Sequence, residues 1–256
     1  MGRMARTRRC VGLVTLGWLA AGGTASAQID PIEIIDRVEQ LYRGESSRGT
    51  TTMEIVTENW DREITMEVWS LGNDYSLVRI QAPAREAGTA TLKADQDIYN
   101  YLPKVDRTIK IPASMMGGSW MGSHFTNDDL VQESRLINDY DIELSFDGDR
   151  DGVLVWEFAL VPKPEAAVVW GRIEYRVRQA DYIPLAVSYY DEDGELARSM
   201  EFSDFANMGG RLLPRLMMMR SADKPGEYTS MRYEDLQFDV GIDESFFSLR
   251  ALQNPR

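Results

Sequence analysis

The residues that could do chemistry in this chain are few. Its one histidine, His124, follows Ser123 and lies close to Asp128 and Asp129, a set that invites comparison with a hydrolase. Adjacent side chains on extended backbone point apart, so Ser123 and His124 cannot easily form a nucleophile–base pair. No G-x-S-x-G turn is present to raise another serine, and no catalytic residue is assigned. Metal chemistry has little more to work with. The single cysteine, Cys10, lies near the start of the chain, which leaves carboxylates as ligands. Asp147, Asp149 and Asp151, and again Asp191, Glu192 and Asp193, sit close together, but neither group has the ligand spacing or the closing glutamate of a calcium loop. Both are expected to be solvated turns. Thirteen methionines could suggest copper, yet Met217, Met218 and Met219 fall on an expected strand whose side chains alternate between faces. A pliable apolar lining accounts for them more simply. No metal and no cofactor are expected.

The most unusual stretch is residues 111–134, IPASMMGGSWMGSHFTNDDLVQES. It sets Met115, Met116, Trp120, Met121 and Phe125 among Gly117, Gly118, Gly122 and serines. Glycine at this density argues against a continuous helix or strand, and large apolar side chains at this density argue against free exposure. Two readings follow: a loop that plugs the core, or a lid whose soft side chains line a binding surface. Thr126 precedes Asp128 and Asp129 as the cap and acidic first turn of a helix.

The chain opens with Arg3, Arg6, Arg8 and Arg9, an apolar run from Val11 to Ala21, and Ala25-Ser26-Ala27. This is the pattern of a cleaved export signal, residues 1–27, with the mature chain beginning at Gln28. The apolar run is too short to anchor in a bilayer. A periplasmic, cysteine-free protein of residues 28–256 is expected, long enough for one ordinary domain. The formal net charge is −13, and removing the four arginines of the signal takes it to −17. That excludes a nucleic-acid partner, which needs a basic face, and suits a freely diffusing monomer.

Asp30-Pro31-Ile32-Glu33 begins a helix with an aspartate cap, a proline in the first turn and a glutamate three residues on. Ile32, Ile35, Val38, Leu41 and Tyr42 share a face, and Gly44 ends the element. Beyond Ser47 the apolar period becomes two. Met53 and Ile55, then Ile64, Met66 and Val68, form a hairpin about Asn59-Trp60-Asp61. Alternation continues through Leu154, Trp156, Phe158 and Leu160, through Ile173, Tyr175 and Val177, and on to Phe238. Phe246, Phe247 and Leu249 suggest a terminal plug. The pattern predicts a mainly β protein: one curled, unclosed antiparallel meander of ten or eleven strands, a half barrel covered by the first helix and the mid-chain segment.

With the signal, the capped helix, the meander and the lid in place, the chain resembles the LolA-like superfamily of periplasmic carriers, and within it the outer-membrane lipoprotein-sorting branch. Residues 115–123 with 125–130, and Tyr101-Leu102-Pro103 before them, are similar to that branch's signature. The resemblance implies a hydrophobic concavity holding acyl chains of a lipoprotein or lipid, with no enzyme activity. It implies partners in an RND-type or other inner-membrane exporter and an outer-membrane acceptor. The cavity and lid residues expected on this basis are Met115, Met116, Trp120, Met121, Phe125, Met66, Leu154, Trp156, Phe158 and Tyr175. A ligand-free adaptor, docking its acidic surface on such an exporter, is the alternative.

Overall fold

The computed structural model describes residues 1–2, 30–42, 44–127, 129–132, 136–166 and 168–253. The leader read in residues 1–27 therefore lies, after Gly2, outside the described residues, as does Asp128. The first helix, α1 (Pro31–Glu39), starts as its sequence dictates: Asp30 accepts hydrogen bonds from the N–H groups of Ile32 and Glu33. A 3-10 turn (Gln40–Tyr42) extends it, and Gly44 leaves it with φ +59°. The buried face is Ile34, Ile35 and Val38. Ile32, expected on that face, is 51% exposed because it lies in the first turn, ahead of the contact with the sheet.

Thirteen strands follow among the described residues, more than the ten or eleven expected. The first six are β1 (Ser46–Val56), β2 (Asp61–Leu71), β3 (Tyr75–Ala82), β4 (Ala90–Ala94), β5 (Asp97–Leu102) and β6 (Arg107–Lys110). The remaining seven are β7 (Tyr140–Arg150), β8 (Val153–Pro162), β9 (Arg172–Arg178), β10 (Pro184–Tyr190), β11 (Leu196–Met208), β12 (Arg211–Ser221) and β13 (Tyr228–Phe238). All belong to one antiparallel sheet, in the order β6-β5-β4-β3-β2-β1-β13-β12-β11-β10-β9-β8-β7. The sheet is open, as expected, but it is not a single meander. Two meanders run outward from a central β1–β13 seam, and the chain passes from one outer edge, β6, to the other, β7, through residues 111–139. Two short helices, α2 (Asp129–Gln132) and α3 (Leu136–Asp139), lie on that passage.

Alternation along the strands divides the sheet's faces. On the concave face, α1 covers Phe158, Leu160, Ile173, Val177, Val187 and Met219, with Leu136 and Tyr140 completing the cluster. The passage covers a second cluster, Met53, Ile55, Ile64, Met66 and Ile80, closed by Trp120. On the other face, α4 (Leu249–Gln253) packs Leu252, together with Phe247, on Leu77, Ala90, Leu92 and Tyr101. The terminal plug thus exists but uses Leu252; Leu249 is 46% exposed because the short helix turns that side to solvent. Away from α4 this outer face carries charge ladders. Glu157 accepts from Arg150 at 2.9 Å and from Arg176 at 2.7 Å across β7–β8–β9. Those hydrogen bonds, Arg150's foremost, hold its carboxyl below the ordinary carboxylate range.

Phe158 is fully buried under α1. Truncating it as Phe158→Ala should cost about 3–5 kcal/mol in urea unfolding with the slope unchanged. A loss under about 1 kcal/mol would mean the cluster is not close-packed. A depressed folded pKa stabilises above the unfolded value and is lost as pH falls through the folded one. Glu157→Gln should therefore lower stability at neutral pH, and its deficit against wild type should close as pH falls below about 4.5.

Candidate functional site

The passage from β6 to β7 crosses the concave face in order. Trp120 reaches β4, donating from Nε1 to Thr91 Oγ1 at 3.2 Å. The Met121 carbonyl accepts from Arg62 on β2 at 2.9 Å. His124 meets β13, where its backbone N–H donates to Thr229 Oγ1 at 3.0 Å and its ring Nδ1 lies 2.8 Å from the same oxygen. Asp129 meets β11 in a two-pronged ion pair with Arg198, both side chains largely buried, one prong at 2.8 Å. Arg198 also donates to the His124 carbonyl and lies over the rings of Trp170 and Tyr189 at 4.5 and 4.4 Å. Leu136 then joins the cluster under α1. Each step follows the strand order.

The glycine-rich centre is ordered by its own hydrogen bonds. Trp120 N–H donates to the Phe125 carbonyl, Ser119 bridges Thr126, and Asn127 Nδ2 donates to the carbonyls of Met115 and Gly118. The reversal needs left-handed backbone at Met121 (φ +52°) and Gly122 (φ +78°). Glycine takes that conformation freely, whereas methionine does so at a cost. Thr126 caps the following turn as expected, accepting from Asp129 N–H while Asp129 Oδ2 accepts from Thr126 N–H. Ser123 and His124 serve the same construction. The serine hydroxyl donates to the Trp120 carbonyl at 2.7 Å, so it does not face the imidazole. His124 Nε2 lies 3.6 Å from Glu227, whose carboxyl is held below its ordinary range chiefly by the Glu58 backbone N–H.

Between the two covers lies a cavity of about 170 Å³. Its floor is Met66, Val68 and Val78 with Met217, Met231 and Leu236; Tyr42 bounds it from the end of α1, and Trp120, Phe125 and Leu130 from the passage. Of the expected residues, Met66, Trp120 and Phe125 line it, and Met121 packs into the cluster beside it. Met115 is 54% exposed and Met116 half-buried, on the outward side of the passage. Phe158 is sealed under α1 with Trp156 and Tyr175 packed around it, and Leu154 is 58% exposed near the β7–β8 turn. Strand alternation found the correct face for β8 and β9 but could not tell which half α1 occupies. Lys93 was missed altogether: it is 2% exposed and lines the cavity, and its strand is too short to announce a face.

A family model described as "uncharacterized protein" matches residues 72–254. No curated protein matches the sequence. Among solved structures, the fold is similar to a DUF1329 family protein from Desulfovibrio piger (TM-score 0.79, 24% identity, 88% of this chain and 100% of that one). It is also similar to an outer membrane lipoprotein-sorting protein domain from Vibrio parahaemolyticus (TM-score 0.77, 24% identity, 88% and 98%). A LolA superfamily protein from Nitrosomonas europaea aligns over 88% of this chain and 100% of its own, with TM-score 0.74 and 20% identity. The chain belongs to the uncharacterized-protein family whose model it matches over most of its length, and its open sheet with a crossing connection is the LolA-like fold.

Proposed function

We propose that this protein is a non-catalytic periplasmic carrier that takes the acyl chain of a lipid or lipoprotein into the concave cavity and passes it between membranes. One observation carries the reading: Trp120 and Phe125 of the crossing connection occupy the same apolar trough whose remaining open space is about 170 Å³. Pockets for drug-sized ligands run to roughly 300–1,000 Å³, and an empty apolar space of about 150 Å³ takes a benzene ring. An acyl chain therefore fits only when these two side chains yield their places. The lipoprotein-sorting and LolA superfamily structures that share the fold support the reading.

Competition between lid and cargo also solves the carrier's energetic problem. A sixteen-carbon chain gains on the order of 10 kcal/mol on leaving water, at about 0.8 kcal/mol per methylene. Binding at that strength would prevent delivery. Displacing Trp120 and Phe125 from their seats offsets part of the gain, and the Arg198–Asp129 pair sets how firmly those seats are held. An inner-membrane exporter, RND-type or other, and an outer-membrane acceptor would be the donor and the recipient.

Lipid titration should shift tryptophan emission in the wild type and much less in Trp120→Phe; an identical change in both would show that the lid stays seated. Native mass spectrometry of protein purified from the periplasm should reveal bound lipid, whereas consistently bare protein would favour the adaptor that works through protein contacts alone. Asp129→Asn removes one charge of the latch while keeping an acceptor for the Thr126 cap. It should lower the urea midpoint and strengthen binding of an uncharged lipid such as monopalmitoylglycerol roughly tenfold, since leaving one charge of a buried pair unmatched costs several kcal/mol. Weaker binding by this variant would count against a latch that opposes cargo.

A further inference from the structure

The β6 edge of the sheet differs in charge from the rest of the molecule. Acids outnumber bases by 41 to 28 in the whole chain, yet residues 98–127 hold one acid, Asp106, against Lys104, Arg107 and Lys110. Within that stretch Leu102, Val105, Ile109 and Met115 are exposed, Val105 by 59%. β6 is the outermost strand, so no further strand of the sheet covers them. Lys110 pairs with Asp97 at 2.7 Å, and Asp106 accepts from the Tyr101 hydroxyl at 3.1 Å. Lys104 and Arg107 form no ion pair among the described residues. In the loop of residues 83–88, beside the β5–β6 turn, Glu86 is matched by Arg62 and Arg85.

Charges on an edge strand ordinarily discourage pairing with another chain. The opposite edge does this with acids: β7 exposes Asp141, Glu143, Asp147 and Asp149. Apolar side chains stand exposed there too, Leu144 and Leu154, but in acidic company. Guarding an edge does not call for the sign opposite to the rest of the chain. Cations beside exposed apolar side chains suit anionic lipid, which attracts the first and takes up the second. The register also sets this strip beside the trough. The row of Val68 and Val78 in the cavity floor continues through Thr91, which holds Trp120, and Asn100 to Ile109. Alternation puts Leu102 and Arg107 on the same face as Ile109.

We propose that β6 and the turns on either side of it dock the protein on an anionic phospholipid bilayer. The apolar side chains enter the head-group layer, and Lys104 and Arg107 meet phosphates. The inference rests on the carrier reading for its purpose alone: cargo would cross between bilayer and trough along the row that ends at Ile109. The net charge of −13 does not prevent the contact. At physiological salt charges are screened beyond about 8 Å, so the bilayer meets the strip and not the distant acids. Each cation at such a surface strengthens binding about fivefold, which suits a brief encounter.

The test is flotation of the purified protein with vesicles of phosphatidylethanolamine and phosphatidylglycerol, set against vesicles of phosphatidylcholine alone. Wild type should bind the first and not the second, and raised salt should release it. Lys104→Gln combined with Arg107→Gln should weaken binding roughly twentyfold. Val105→Ser should weaken it severalfold, and neither variant should move the urea midpoint, because these side chains are exposed. Leu154→Ser, at the acidic edge, should leave binding as it is. Wild type that ignores phosphatidylglycerol vesicles overturns the proposal and leaves the strip to an acidic protein. Binding that survives the loss of both cations, or that falls as much in Leu154→Ser as in Val105→Ser, overturns it as well. Uptake of monomeric monopalmitoylglycerol, read by tryptophan emission, should persist in the docking variants. Its failure in wild type while vesicles still bind overturns the carrier reading and leaves the docking surface standing.

Discussion

The constraint on which the structure depends is topological. The thirteen-stranded sheet does not close, and its two outer strands, β6 and β7, are consecutive along the chain yet lie at opposite edges. The connection between them has to traverse the sheet, and the concave face offers apolar surface that α1 leaves uncovered. Burying that surface is what fixes the crossing, because an apolar trough left to water would be the largest instability in the molecule. Stability alone is thus enough to place Trp120, Met121, Phe125 and Leu130 where they are.

Such a cover can be tuned. Its bonds to the sheet are a handful of points spread over β4, β2, β13 and β11, and the strongest, Arg198 with Asp129, is a buried pair wedged against two aromatic rings. Between these points the backbone is held by its own hydrogen bonds, so the segment can shift as a preformed unit and need not unfold first. The left-handed methionine at 121 places strain within that unit. The cluster beneath α1 keeps its own buried core, with Phe125 packed against its edge as well as against the cluster under the crossing.

How much of this was legible in the sequence differs from element to element. The cap at Asp30, the alternation of β1 and β2, and the cap at Thr126 are local matters, set by side chains reaching backbone groups within a turn or by a period of two. They could be read, and the LolA-like arrangement with them. The apolar lid residues were visible as a group. That Trp120 and Phe125 turn inward while Met115 turns out depends on the left-handed reversal at 121–122, which no composition announces.

The sequence by itself thus determined the elements, their class and the presence of a segment too apolar to stand in water, since these depend on interactions between near neighbours. The tertiary structure alone decided which half of the concave face α1 occupies, why Phe158 and Tyr175 lie under it and apart from the cavity, and how Ser47, Ser70, Ser76 and Lys93 come into line. Those depend on pairing between strands many residues apart. Register is a sum over whole strands, and a shift of one residue would send Lys93 to the opposite face.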